Sequence, residues 1–410
     1  VTALPHRLHG EAAAAELWCR LWQQQHRRCQ VLLLLAATDT AAVEGISAAG
    51  ASPASRRSTA AADAELLWLG PALRLPHALP PLPAGVSPAL IAQVALAGLG
   101  LTPLLVDLGC AVAPAVPHLR LPPPAGGGPA RCLSGGSARA VERVEALLEQ
   151  GRRWGRQLTA PRASQAGRPL LLAECVPGGT TTAQAVLTGL GIEAGGIVSG
   201  SLHRPAHALK ADLVARGLSA SGLAGPTRPD PLRLLAALGD PMQALAVGLL
   251  LAAVEGGQPV LLAGGSQMAA VLALALALAS PSQRPRLAEL AAVGTTAWVA
   301  SEADSDLALL LHRIGRRWGV EPLAFAASLR FRGPFHPALA DYERGYVKEG
   351  VGAGGLAILW ELAGRSPDAL AAACDRACTL LLGASRSPAA CPLASGIGLA
   401  AAGPGPSADG

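Results

Sequence analysis

Residues 169–182 read PLLLAECVPGGTTT, and that stretch decides the fold. Its first half is an unbroken apolar run of strand length, as expected of a strand buried on both faces of a parallel sheet. Gly178 and Gly179 then let the backbone turn sharply and approach a ligand. Thr180, Thr181 and Thr182 open a helix whose free N–H groups and dipole favour an anion, and their hydroxyls add donors for phosphate oxygens. The same residues also suit an ordinary strand-to-helix turn with a threonine cap. A dinucleotide fingerprint does not fit, because the nearest GxGxxA, Gly189 to Ala194, falls at the end of a helix.

The strand–turn–helix rhythm extends in both directions. Apolar runs predict strands at 31–37, 65–69, 103–107, 169–173, 195–199, 259–263, 293–300 and 321–327. Between them the pattern predicts helices at 11–26, 88–98, 137–158, from about 180, and at 206–216, 242–255, 266–279 and 305–318. Residues 70–87 and 114–136, rich in proline and glycine, are expected to be loops. The fold class is therefore α/β: a mainly parallel, Rossmann-like sheet with helices on both faces, plus a smaller helical portion. Residues 1–160 are expected to contribute an α/β and helical region to the same core. Residues 161–365 form the main nucleotide-binding region, and 366–410 a last Ala-rich helix and a mobile tail. Ligands of such sheets bind beyond the carboxyl ends of the strands, which is where this chain places its glycines.

Two more turns share the chemistry of the first. Residues 264–268, GGSQM, stand between the apolar run PVLLA and an Ala/Leu helix, putting Gly264, Gly265 and Ser266 at a second helix start. Gly239-Asp240-Pro241 precedes another helix and either borders the same cleft or simply initiates that helix. Residues 348–355, KEGVGAGG, set Glu349 among Gly350 and Gly352, a carboxylate on backbone that can approach a substrate closely. Partial burial would raise its pKa toward the range useful for proton abstraction; an exposed loop glutamate is the other reading.

Composition narrows the function. The chain is 51% hydrophobic and only 15% charged, with mean hydropathy +0.37, yet aromatics make up 3%. Alanine and leucine carry that apolarity, as suits helices packed on a buried sheet. The segment 260–279, VLLAGGSQMAAVLALALALA, has the length of a membrane span, but Gly264 to Gln267 divides it into a strand and a core helix. No membrane or nucleic-acid partner is expected: the net charge is +5, and no basic stripe is interleaved with aromatics. Of 33 basic residues only Lys210 and Lys348 are lysines, and neither is followed by Ser or Thr, so a phosphate-binding P-loop is excluded. The eight cysteines (Cys19, Cys29, Cys110, Cys132, Cys175, Cys374, Cys378 and Cys391) contain no CxxC pair and read as buried hydrophobes of a reduced cytoplasm. The opening VTALPHRLHGEAAAAELW carries a charged helix where a secretion signal would be apolar. No Asp-Asp or Glu-Asp pair follows a strand, as a pyrophosphate-leaving transferase would want for magnesium; neither metal nor cofactor is expected.

These residues together resemble the nicotinate-nucleotide:dimethylbenzimidazole phosphoribosyltransferase family over about residues 30 to 365. ECVPGGTTTAQAVL is similar to the family's glutamate, glycines and paired threonines before a helix, although the family's asparagine is absent. The stretch from Gly200 to Gly217 resembles the segment whose lysine faces substrate phosphate, which falls here on Lys210. Glu349-Gly350-Val351-Gly352 resembles the family's glutamate-glycine-x-glycine, whose glutamate is the catalytic base. Residues 45–70 are more similar to a branch set apart from the characterised enzymes. The resemblance implies transfer of phosphoribose from a nicotinate mononucleotide-like donor to an aromatic nitrogen base, as in cobamide lower-ligand synthesis, by a cytoplasmic homodimer. Phosphate would meet Gly178, Gly179, Thr180, Thr181, Thr182, Lys210, Gly264, Gly265 and Ser266. Glu174, Asp240, Gly350 and Gly352 are further candidate substrate contacts. The alternative is a non-catalytic binder of nucleotides or cobamide precursors on the same fold.

Overall fold

The computed structural model describes residues 4–160, 167–225 and 229–384. Eight strands form one sheet: β1 (His6–His9), β2 (Gln30–Leu35), β3 (Leu104–Asp107), β4 (Leu119–Arg120), β5 (Leu170–Cys175), β6 (Val260–Ala263), β7 (Ala291–Thr295) and β8 (Leu323–Ala326). Their spatial order is β1-β8-β7-β6-β5-β2-β3-β4. Every pairing is parallel except that of β1 with β8.

Alternation along the strands explains why they are apolar throughout. Leu32, Leu34, Leu170, Leu172, Val260 and Leu262 point into one core, while Leu33, Leu35, Leu171, Ala173, Leu261 and Ala263 point into the other. Helices Val141–Thr159, Gly179–Gly189, Pro241–Glu255, Ser266–Leu278 and Leu307–Trp318 cover the first face. Helices Ala12–Gln25, Thr59–Leu69, Ala89–Leu99, Ala353–Leu362 and Pro367–Ala384 cover the second. Low side-chain volume lets the first layer pack tightly. A Cβ on Gly248 would lie 2.1 Å from the Leu148 carbonyl oxygen, so helices Val141–Thr159 and Pro241–Glu255 meet backbone to backbone.

Two predicted strands are corrected. Residues 65–69 end the helix Thr59–Leu69; the Ala60–Ala64 stretch favours helix, and burial on nearly every side erases the helical period. Residues 195–199 form no strand, because Gly195 and Gly196, the latter at φ 75°, break the run. The strand predicted at 293–300 ends at Thr295, where Thr296 caps the short helix Ala297–Ala300. The strands β1 and β4 and the helix Pro231–Leu238 were not anticipated. The candidate span 260–279 divides as expected, into β6 and the fully internal helix Ser266–Leu278. No helix among the described residues is long and apolar enough to cross a membrane. The tail beyond 384, with Cys391, lies outside the described residues.

Candidate active site

Past the carboxyl ends of β5, β6 and β7 opens a cavity of about 520 Å³. Two helix starts reach it. At the first, Gly178 takes φ 81° as the N-cap of helix Gly179–Gly189, a conformation glycine adopts without strain. A Cβ on Gly179 would sit 1.8 Å from Gln267 Oε1, so the first turn is pressed directly against the second. At that second turn, Gly265 precedes helix Ser266–Leu278, and the Ser266 hydroxyl accepts from the Ser199 N–H at 3.2 Å.

Glu349 enters from a strained loop. Val347 and Val351 hold φ of 62° and 55°, positions a β-branched residue rarely adopts, and they bracket Lys348-Glu349-Gly350. The carboxylate accepts four hydrogen bonds. Oε2 takes the Thr295 hydroxyl at 2.8 Å and the Thr296 N–H at 2.9 Å; Oε1 takes the N–H groups of Gly350 and Gly354, each at 3.1 Å. Burial pushes its pKa upward, and the four donors oppose that shift. Glu174, at the end of β5, is held by the Val176 N–H at 3.0 Å and by the Gln267 side chain. Burial, then the nearby Asp240 and Glu349 carboxylates, push Glu174 up to about 8.

The structure brings Glu174, Gly178, Gly179, Thr180, Gly265, Ser266, Glu349 and Gly350 onto one wall. The other predicted site residues stand behind it. Thr181 is buried, and its hydroxyl has no partner among the described residues. The Thr182 hydroxyl turns inward to Asp240 Oδ2 at 2.6 Å, because successive helix residues point in different directions. Asp240 is itself a buried capping residue, closing a reciprocal box with Gln243, and burial raises its pKa. Gly264 lies off the wall, and Gly352 packs against Ala173, where a Cβ would come within 2.6 Å.

Lys210 is also off the wall, against expectation. Its Nζ donates to the Ser199 carbonyl at 2.6 Å, from behind the Ser199–Ser201 backbone that lines the cavity. Burial draws its pKa down to about 7. Lys348 grips the same loop from the other side, through Leu202 O at 2.8 Å and an ion pair with Glu302. Both lysines of the chain are thus buried on one loop, a convergence of residues far apart in sequence that no local pattern shows. The serines at 47, 87, 199 and 201 reach the cavity from loops and turns with no motif of their own, and Gln267 reaches it from the first turn of the helix that GGSQM begins.

A family model described as Phosphoribosyltransferase matches residues 93–284. A UPF0284 protein of Prochlorococcus marinus (strain MIT 9313) is 53% identical over 92% of this chain and 92% of its own length. One from Gloeobacter violaceus is 46% identical over 85% and 87%. Among solved structures, the nicotinate-nucleotide-dimethylbenzimidazole phosphoribosyltransferase of Thermus thermophilus has the same fold, with a TM-score of 0.53 at 20% identity over 92% of this chain and 93% of that one. This chain belongs to the nicotinate-nucleotide:dimethylbenzimidazole phosphoribosyltransferase family, in the branch of the UPF0284 proteins.

Proposed function

We propose that the protein transfers phosphoribose from a nicotinate mononucleotide-like donor to an aromatic nitrogen base, with Glu349 as general base. One observation carries this reading: a single cavity joins a buried carboxylate to two helix starts contributed by distant parts of the chain. The N–H groups of Gly178, Thr180, Gly265 and Ser266 suit the donor's phosphate, whereas that of Gly179 donates to the Val176 carbonyl at 2.9 Å. Lys210 braces the cavity-lining loop through the Ser199 carbonyl without touching the ligand.

In the reaction, the bond from the anomeric carbon to the pyridinium nitrogen breaks and its electron pair leaves with nicotinate. The lone pair of the acceptor's unprotonated ring nitrogen forms the new bond on the opposite face. The proton on the acceptor's other ring nitrogen passes to Glu349. Of the four donors on Glu349, only the Thr295 hydroxyl can rotate away, so it is the one that frees a lone pair for this proton. Orientation of the two rings in one cavity supplies the larger share of the rate.

The four hydrogen bonds on Glu349 also favour a second reading, a nucleotide-binding module in which that carboxylate only braces its loop. Incubation with nicotinate mononucleotide and candidate bases separates the two. Release of nicotinate that depends on the base and disappears in Glu349→Gln supports transfer. Tight donor binding without release supports the module.

A further inference from the structure

One polar group on the cavity wall has no part in that reaction. Asp63, in helix Thr59–Leu69, is 4% exposed and lines the cavity on the second face of the sheet. Its Oδ1 accepts the Ser87 hydroxyl at 2.6 Å and its Oδ2 the Cys175 thiol at 3.4 Å. The Ser87 oxygen in turn accepts the Ala89 N–H at 3.1 Å, which fixes that hydroxyl as a donor to Asp63. Burial raises the Asp63 pKa to about 6, opposed only by Ser87 and Cys175, and no cation contributes. A buried carboxylate without a cation is costly unless its lone pairs are filled. A carboxylate has about four acceptor positions, and two of these are taken.

The surroundings say what would fill the rest. Leu75, Leu79, Leu82, Val86 and Val347 line the cavity along with Asp63 and Ser87. Apolar walls beside a fixed acceptor suit a flat heteroaromatic ring better than a hydroxyl-rich sugar or a phosphate. We propose that Asp63, oriented by Ser87, determines acceptor specificity, and that the preferred acceptor carries an N–H donor, such as a ring amine, on the edge away from the nitrogen that is glycosylated. This rests on the phosphoribosyl-transfer reading. A ring bearing methyl groups there would leave the remaining acceptor positions of Asp63 desolvated and unfilled, and a site built to receive a hydrogen bond discriminates strongly against such an analogue.

The test uses a matched pair, aminobenzimidazole and methylbenzimidazole, which differ by one substituent of similar size. Each is titrated calorimetrically into the full chain in the presence of ribose phosphate, which has no leaving base and cannot react. The wild-type protein is expected to bind the amino compound about 10- to 100-fold more tightly, the usual worth of a hydrogen bond to a charged group. Asp63→Leu is expected to abolish or reverse that ratio and Asp63→Asn, nearly isosteric, to reduce it. Ser87→Ala should reduce it less. Equal affinities in the wild type, an unchanged ratio in Asp63→Leu, binding of neither base, or weakened binding of nicotinate mononucleotide in Asp63→Asn would each overturn the inference. Because the readout is binding, the two proposals fail separately. A preserved amino preference without nicotinate release sinks the reaction alone, and nicotinate release with no amino preference sinks the role of Asp63 alone.

Discussion

Glu174 and Glu349 face the same cavity from two kinds of backbone. Glu174 lies near the end of a regular strand and keeps few donors, and burial, then two carboxylate neighbours, push it up to about 8. Glu349 sits between two left-handed valines and is gripped by four donors that favour its ionised form against the cost of burial. Burial raises both, and the difference teaches that neighbouring carboxylates and the number of donors then set the two apart. One glutamate holds its proton more tightly, and the other is suited to take one from the acceptor.

The sharpest way to break that contrast is to neutralise each in turn. Glu349→Gln is expected to lower base-dependent nicotinate release by about 10²- to 10⁴-fold, the usual worth of a general base. Donor affinity, measured by calorimetry, should be unchanged; full turnover in this variant would remove Glu349 from the chemistry. The pH profile sharpens the same contrast. Turnover should rise with pH through a point above the ordinary glutamate range as Glu349 ionises, and fall near pH 8 as Glu174 ionises and its charge repels the donor's phosphate. Glu174→Gln should erase the upper limb only.

A smaller effect tests whether the two helix starts act together. Gly179→Ala drives a methyl group into Gln267 Oε1 and is expected to weaken donor binding about tenfold, the equivalent of one hydrogen bond. Adding Gln267→Ala should recover most of the loss; no recovery would mean that the turns do not form one site. The smallest effect is on stability. The folded protein holds the Glu174 proton up to about pH 8, whereas the unfolded chain releases it at the ordinary glutamate value. The folded state therefore binds more protons across that window, and stability falls as pH rises through it. In thermal melts above about pH 8, Glu174→Gln should melt a few degrees higher than the wild type.

The fold was largely legible because a buried parallel strand betrays itself by an apolar run followed by glycine. Residues 169–182 and 260–268 carry that signal, and β5, β6 and the helices after them follow it. Where burial was complete on a helix, as at 65–69, the period vanished and strand and helix could not be told apart. The site was legible only in part. Glycines mark where backbone turns, and Gly178, Gly179, Gly265 and Glu349, which such turns point to, line the cavity. Which way Thr182 points, or that Lys210 stops at a carbonyl, depends on packing between helices distant in sequence. Asp63 carried no signal at all, since a lone aspartate in an alanine-rich helix looks like a solvated one.

The strand order has a consequence for how this chain behaves when incomplete. β5, which bears Glu174, is hydrogen-bonded between β2 from the first part of the chain and β6 from the second. A cut near residue 160 would leave β2, apolar from Val31 to Leu35, with a bare edge on one fragment and β5 with its own on the other. Such edges recruit further strands and template aggregation. Fragments of this protein should therefore precipitate separately and dissolve only when mixed.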